Sequence, residues 1–531
     1  MGEYDYVVVG AGSAGAVVAA RLSEDAGATV LLLEAGGSHQ DLRIRAPGMV
    51  GTLWRTKFDW AFKTAPQPGL GGRSNFWPRG RVLGGSSSIN YMIYMRGHRA
   101  DYDGWRELGN EGWGYDEVLP YFKRSENNAR CGEPYHGRGG PLDVTDIAEP
   151  APIGELLVEA AAQTLGAPRI DDMNVPEREG FGPFQKTIRD GRRCSTAMAF
   201  LEPAAERANL TVETHALVDR IGFDGKRAAA VHYVANGRAV EARVAREVVL
   251  CGGAIGSPQV LLRSGVGPAD ELRGAGIEVA HDLPGVGKNL QDHLMAFVSH
   301  EVVTDATVSV QPLALLGWLG RYLFSRRGPL AATPAQSGGF VRTTDAVKIP
   351  DLQFHFLSTG AMDEALDEIN YDPRGRACAL VPTLLYPKSR GEVRIPSADP
   401  QAAPLIDPRY FSEEEDLQTL VRGVRMAQEI ANSARLRGVL GAARKASPPA
   451  GGSDAAIAAS IRRYANTIFH PVGTCKMGRD PMAVVDAGLR VHGLEGVRVA
   501  DGSIMPTIVG GNTNAPVIMI AEKASDLMRG A

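Results

Sequence analysis

Cysteine is scarce in this 531-residue chain: the five present (Cys131, Cys194, Cys251, Cys378 and Cys475) are scattered, odd in number and never spaced as CxxC. That pattern argues against a disulfide framework, and with no charged-then-apolar leader at Met1–Tyr6 it points to a reducing, cytoplasmic setting. Long apolar runs are missing too. A membrane span needs roughly 20 such residues, and the nearest candidate, LALLGWLGRYLF at 313–324, is broken by glycine and arginine and followed by Arg326 and Arg327. It reads as a packed helix or lid, with peripheral contact to a membrane surface as the alternative. No charge of one sign dominates, and a formal net charge of −4 gives no electrostatic reason to expect a nucleic-acid partner. Internal repeats and low-complexity tracts are absent. What remains, 44% hydrophobic and 22% charged, is an ordinary soluble composition on a chain long enough for two or more domains.

The strongest local signal is the opening, YDYVVVGAGSAGAVVAARLSEDAGATVLLLEAGG. Tyr6–Val9 is a β-branched run suited to a strand buried on both faces. Gly10, Gly12 and Gly15 follow as GxGxxG, with Ser13 and Ala14 inside the turn, and Ala14–Leu22 reads as a helix. The three glycines allow a tight turn, close backbone approach to a pyrophosphate, and close helix–strand packing. The helix N-terminus adds free N–H groups and a positive dipole end. A second strand, Thr29–Leu33, leads into Glu34 and Ala35, and Glu34 lies 19 residues after Gly15, where a carboxylate can accept hydrogen bonds from an adenosine ribose. A lone GxGxxG is weak evidence. Strand, glycines, helix, strand and acid in order predict a dinucleotide site.

Regular βα repeats do not follow. After EAGG comes an irregular stretch, then GRVLGGSSSINYMIYMRG (80–97), VVLCGGAIGSPQVLLRSGVGP (248–268), HPVGTCKMG (470–478) and VRVADGSIMPTIVGGNTNAPVIMIAEKASDLM (497–528). With the opening fingerprint, these segments resemble the glucose–methanol–choline (GMC) oxidoreductases over essentially the whole chain. The resemblance implies an α/β fold with a discontinuous Rossmann-like FAD-binding domain and a substrate domain built on an antiparallel sheet flanked by helices. It implies FAD contacts at Arg81, Leu83, Gly84, Gly85, Ser87 and Asn90 of the serine turn, at the Val218 backbone by the adenine, at Asp501 and Gly502, and at Asn514 and Ala515 by the flavin ring. Asp501 also reads as a turn-capping carboxylate, and the two roles are compatible. Some family members link FAD covalently through a histidine in the serine-turn segment. Ile89 occupies that position here, so non-covalent FAD is expected.

On this basis residues 1–150, 191–299 and 454–531 are assigned to the FAD-binding domain, with 151–190 as a substrate-domain insertion and 300–453 as the substrate-binding domain.

Of the eleven histidines, His470 draws most attention. A zinc site with Cys475 lacks two further close ligands, so no metal is expected, and an isolated histidine of this kind is by default a packed core residue. The resemblance instead implies that His470 is the catalytic base facing flavin N5, with Asn512 as its hydrogen-bonding partner. Alcohol oxidation removes a hydroxyl proton and a carbon-bound hydride. A neutral imidazole is suited to the first task, and the implied reaction is oxidation of a primary or secondary alcohol to a carbonyl, with oxygen or another acceptor reoxidising the flavin. A hydroxynitrile lyase reaction on the same scaffold and choline dehydrogenation are the alternatives. Phe469, His355 and Gln336 are candidate pocket residues. His355 in QFHFL lies on the strand face opposite Phe354 and Phe356, where it either lines the pocket or is a satisfied strand histidine. Gln336 is matched to the carboxylate that choline-oxidising relatives carry, and its neutral amide argues for an uncharged alcohol. His293 and His492 read as structural.

Overall fold

The computed structural model describes residues 2–308, 312–359 and 376–530. The opening folds as expected, with strand β1 (Glu3–Val9), helix α1 (Gly15–Leu22) and strand β2 (Val30–Glu34). Tyr6–Val9 of β1 and the whole of β2 are buried because the sheet they enter is covered on each face. That seven-stranded sheet runs in the order Leu210–Thr214, β2, β1, Arg238–Leu250, Arg227–Ala235, Ala216–Asp224, and Val497–Val499 adds parallel to the end of Arg238–Leu250. The helix Asn514–Arg529 packs against α1, where Glu522 accepts from both Arg21 and Arg124. The C-terminal segment thus closes against the N-terminal unit.

A second sheet of eight strands is antiparallel throughout. Its main path runs Leu440–Ala443, Val298–Val302, Ala377–Leu384, Leu352–Leu357, Ala335–Val341, Gly180–Pro183. Helices Pro152–Leu165 and Glu414–Ala431 cover one face. The two-residue period of a strand divides the labour along Leu352–Leu357. Leu352, Phe354 and Phe356 enter the core shared with those helices, while His355 and Leu357 line a cavity on the other face.

One expected boundary falls inside a continuous strand, and another separates a helix from the core it packs in. Val298–Val302 is a single strand of the second sheet across the division at 299/300. The helix Asp454–Tyr464 places Ile457 and Ile461 in the core of the helix-covered face rather than with the nucleotide sheet. Among the described residues no helix is long and apolar enough to cross a membrane. Residues 313–324 form most of the helix Pro312–Ser325, whose Tyr322 is buried near Leu330 while Leu313 and Phe324 are 84% and 95% exposed.

Candidate active site

Between the two sheets lies a cavity of about 1120 Å³, lined from Glu34 and Val218 on the nucleotide sheet to His355 on the antiparallel one, together with His470 and Asn512. At the nucleotide end the glycines have distinct physical reasons. Gly10 has a φ of +94° and a Cβ there would meet the Cys251 carbonyl oxygen at 2.8 Å; at Gly15 it would lie 1.8 Å from the Gly10 oxygen. Glu34 accepts from the Ala11 N–H (2.9 Å) and the Gly36 N–H (2.8 Å), and burial pushes its carboxyl up to about 7. Ser13 Oγ donates to Asn514 Oδ1 at 2.7 Å, tying the first glycine turn to the start of the last helix. Asp501 accepts from the Gly253 N–H, the Ser503 N–H and the Ser257 hydroxyl, so it caps helices and lines the cavity together.

Gly10, Gly12, Ser13, Ala14, Glu34, Ala35, Arg81, Gly85, Asn90, Val218, Asp501, Gly502 and Asn514 all line the cavity, as does Ile89. Gly15, Leu83, Gly84, Ser87 and Ala515 do not. They stand behind the wall: the Leu83 N–H donates to the Gly37 carbonyl, the Gly84 N–H donates to the Ala11 carbonyl and so fastens the serine turn to the glycine turn, and Ser87 Oγ meets Thr196 Oγ1 at 3.0 Å.

At the far end, the sequence around His470 constrains its backbone from both sides. Pro471 disfavours a helical conformation for the residue before it, and Phe469 takes a left-handed φ of +68°, uncommon for a bulky residue. The His470 N–H donates to Asp292 (2.8 Å) and Arg79 donates to the Phe469 carbonyl (2.5 Å), which pins the turn. Asn512 Nδ2 then lies 3.3 Å from His470 Nε2. Enclosure by protein, with lesser contributions from His293, His355 and Arg79, holds the His470 pKa well below 6.5, so the ring is neutral. Phe469 stands edge-on to Trp54, and Trp54 lies beside Tyr91; all three line this end. His355 Nδ1 meets Thr383 Oγ1 at 3.2 Å, while its buried Nε2 has no protein partner.

One pocket residue is misplaced by sequence reasoning. Gln336 is not on the cavity: its Oε1 accepts from the Ala151 N–H at 2.7 Å, on the opposite face of its strand, and Ala335 lines the cavity instead. A register irregularity falls between Ala335 and Ser337, and a slip of one residue exchanges the faces of a strand. The inference drawn from its neutral amide therefore lapses. His293, read as structural, has its Nδ1 3.0 Å from His470 Nδ1. His492 is structural, with Nε2 bonded to the Gly478 carbonyl. Asp292, Arg79, Gln353 and Trp54 were also missed. Asp292 and His293 lie in LPGVGKNLQDH, a stretch with nothing local to connect it to a histidine 177 positions on.

Cys131, His136 and Asp172 bring donor atoms within 4.8 Å of one another. His136 is already clamped between Glu126 (2.9 Å) and Asp172 (2.8 Å), which accounts for the group without an ion.

Residues 4–295 and 387–521 match the N- and C-terminal parts of the GMC oxidoreductase family. The chain is 45% identical to an oxygen-dependent choline dehydrogenase of Pseudomonas savastanoi pv. phaseolicola, covering 99% of this chain and 94% of that one. It is 43% identical to an alcohol dehydrogenase [acceptor] of Pseudomonas putida, covering 99% and 95%. Its fold superposes on pyridoxine 4-oxidase from Mesorbium loti with a TM-score of 0.90, at 34% identity and full coverage of both chains.

Proposed function

Because the chain belongs to the GMC oxidoreductase family, we propose that it is an alcohol oxidoreductase in which His470 takes the hydroxyl proton and Asn512 holds the oxygen. The family places it among FAD-dependent enzymes acting on CH–OH groups. The residues present suit the cofactor. A glycine turn leaves room for a pyrophosphate, a buried carboxylate stands where a ribose would be, and the N-terminus of the helix Asn514–Arg529 opens on the cavity. Gly10, Gly12, Ser13, Glu34, Val218 and Asp501 would hold the nucleotide, and Asn514 would lie by the ring. Bound there, FAD supplies a two-electron acceptor for the hydrogen leaving the alcohol carbon. Ile89 offers no nitrogen for a covalent link, so dissociable FAD is part of this reading.

The observation that carries the proposal is the 3.3 Å pairing of His470 Nε2 with Asn512 Nδ2 on the cavity wall. A neutral imidazole can accept the proton as the alkoxide develops, and an amide N–H can donate to the same oxygen without competing for that proton. The first helical N–H groups after Thr513 point a positive dipole end toward the same region, which favours developing negative charge. On this reading the nucleotide sheet and the C-terminal segment from Ile468 onward form the cofactor part, and the antiparallel sheet with its helices forms the substrate part.

The substrate end favours a neutral alcohol with an apolar or aromatic substituent. Trp54, Tyr91, Ile468, Phe469, Met295 and Val381 line it, and among the described residues the only lining carboxylates, Glu34 and Asp501, belong to the nucleotide side. Choline is the second reading, supported by the 45% identity to a choline dehydrogenase and by aromatic faces able to receive a quaternary ammonium. Anaerobic bleaching of the flavin by aromatic, aliphatic, sugar and amino alcohols separates the two. Fastest bleaching by benzylic or long-chain alcohols is expected, and fastest bleaching by choline would transfer the assignment. Admission of oxygen then tells whether it reoxidises the flavin.

A further inference from the structure

The protonation of His470 can be worked out from the outside inward. His293 is fully buried, and its Nε2 lies 2.9 Å from the Leu385 carbonyl oxygen. Burial pushes its pKa down to about 3, with only the Leu385 and Val509 backbone acting the other way, so the ring carries one proton. A carbonyl accepts and never donates, which assigns that proton to Nε2 and leaves a lone pair on Nδ1. That lone pair faces Nδ1 of His470 at 3.0 Å, with the two rings inclined at 80°. Two lone pairs at this separation repel. The proton between the rings therefore belongs to His470 Nδ1, and His470 Nε2 is bare. The opposite side is compatible: with Gln353 Nε2 donating to Asn512 Oδ1 at 3.3 Å, the Asn512 amide nitrogen, a donor, faces His470 Nε2.

We propose that His293 is a positioning residue that locks His470 in the Nδ1–H tautomer, so that the nitrogen facing the cavity is always the acceptor. The inference rests on the reading of His470 as the base. A free imidazole side chain in water favours the other tautomer, with the proton on Nε2, in which the cavity-facing nitrogen could only donate. The lock also fixes where the proton goes. The alcohol O–H bond breaks, an Nε2–H bond forms, and the Nδ1 proton stays on His470. Beyond His293 the chain of hydrogen bonds ends at the Leu385 carbonyl, which has no proton to pass on. The imidazolium must therefore release its proton back through the cavity.

Histidine-selective 15N labelling of the FAD-loaded enzyme, with His470 assigned through His470→Gln, reads the tautomer directly. A protonated Nδ1 and an unprotonated Nε2 are expected, and the reverse would overturn the proposal. His293→Leu removes the acceptor, whereas His293→Asn keeps an oxygen near the place of Nδ1. The leucine variant should mix the tautomers and slow anaerobic flavin reduction by at least about 100-fold, the scale on which general-base catalysis and tautomer errors act. The asparagine variant should keep the tautomer and stay within about tenfold of the parent. Equal losses in both variants, or no loss in the leucine variant, would reduce His293 to packing. If His293→Leu does not fold, the parent spectrum and the asparagine variant still decide. Normal flavin reduction by His470→Ala, with His470 Nδ1 protonated in the parent, would instead remove the base reading and leave the tautomer assignment standing.

Discussion

The two ends of the cavity are built by opposite strategies. At the nucleotide end the opening unit alone, Gly10 to Ala35, supplies a run of lining groups within one short stretch of chain, and backbone does much of the work: glycines without side chains, N–H groups at a helix start, one acid at a strand end. At the alcohol end the groups are side chains from four separate segments, Asp292–His293, Gln353–His355, Phe469–His470 and Asn512, fixed by hydrogen bonds to one another. The first arrangement recognises a constant ligand by shape. The second sets donor and acceptor at single atoms, where changing one partner reassigns the others.

The sharpest way to separate the ends is His470→Ala. Flavin reduction should fall by about 1,000-fold, within the range for loss of a general base, while the protein remains yellow with unchanged FAD affinity. Loss of colour together with activity would mean that the two ends are not independent. The converse change, Glu34→Gln, should weaken FAD binding by about tenfold, the cost of degrading charge-assisted hydrogen bonds to Ala11 and Gly36 and to a ribose. Titration with FAD should reveal that loss, and reduction at saturating FAD should be unaltered. A slower reduction at saturation would place Glu34 in contact with the chemistry.

The smallest effect is on pH dependence. Because His470 is held well below 6.5, the rate of flavin reduction should stay level as pH falls through 6.5, where an ordinary histidine would lose its basicity. Stability behaves differently. His293 and His355 are each depressed to about 3 in the fold, chiefly by burial. Their neutral forms contribute stability that is fully present above the unfolded value of 6.5 and is lost as pH drops toward 3. The loss is up to about 1.4 kcal/mol per pH unit for each group. Activity should thus fail in acid by unfolding, with urea midpoints dropping between pH 6.5 and 4.5 before the reduction rate of still-folded enzyme changes.

The same contrast explains what could be read from the sequence. The βαβ unit was legible because its strand, glycines, helix and acid all fall within Tyr4–Glu34 and obey local rules. The strand parity that put His355 opposite Phe354 and Phe356 was legible for the same reason. Gln336 failed because it was matched to a family position by resemblance, and a displacement of one residue along a strand exchanges its two faces. His293 failed because its meaning comes from a contact across 177 positions. A histidine flanked by aspartate and leucine is otherwise indistinguishable from core filler. His470 and Asn512 were named through resemblance to a family, not through spacing, and they stand 42 residues apart.

The hydrogen bond from Ser13 to Asn514 joins residues 501 positions apart, and this has a consequence for how the protein is made. At roughly 5–20 residues per second of synthesis, the glycine turn waits on the order of 25 to 100 seconds before the segment that closes over it exists. During that interval the nucleotide strands can form but the pocket has no far wall. Cofactor capture therefore belongs to the end of translation or later. A chain interrupted before its last helix would leave the ribosome with the apolar sides of α1 and of the helix Tyr115–Ser125 uncovered, a substrate for chaperones and proteases rather than for FAD.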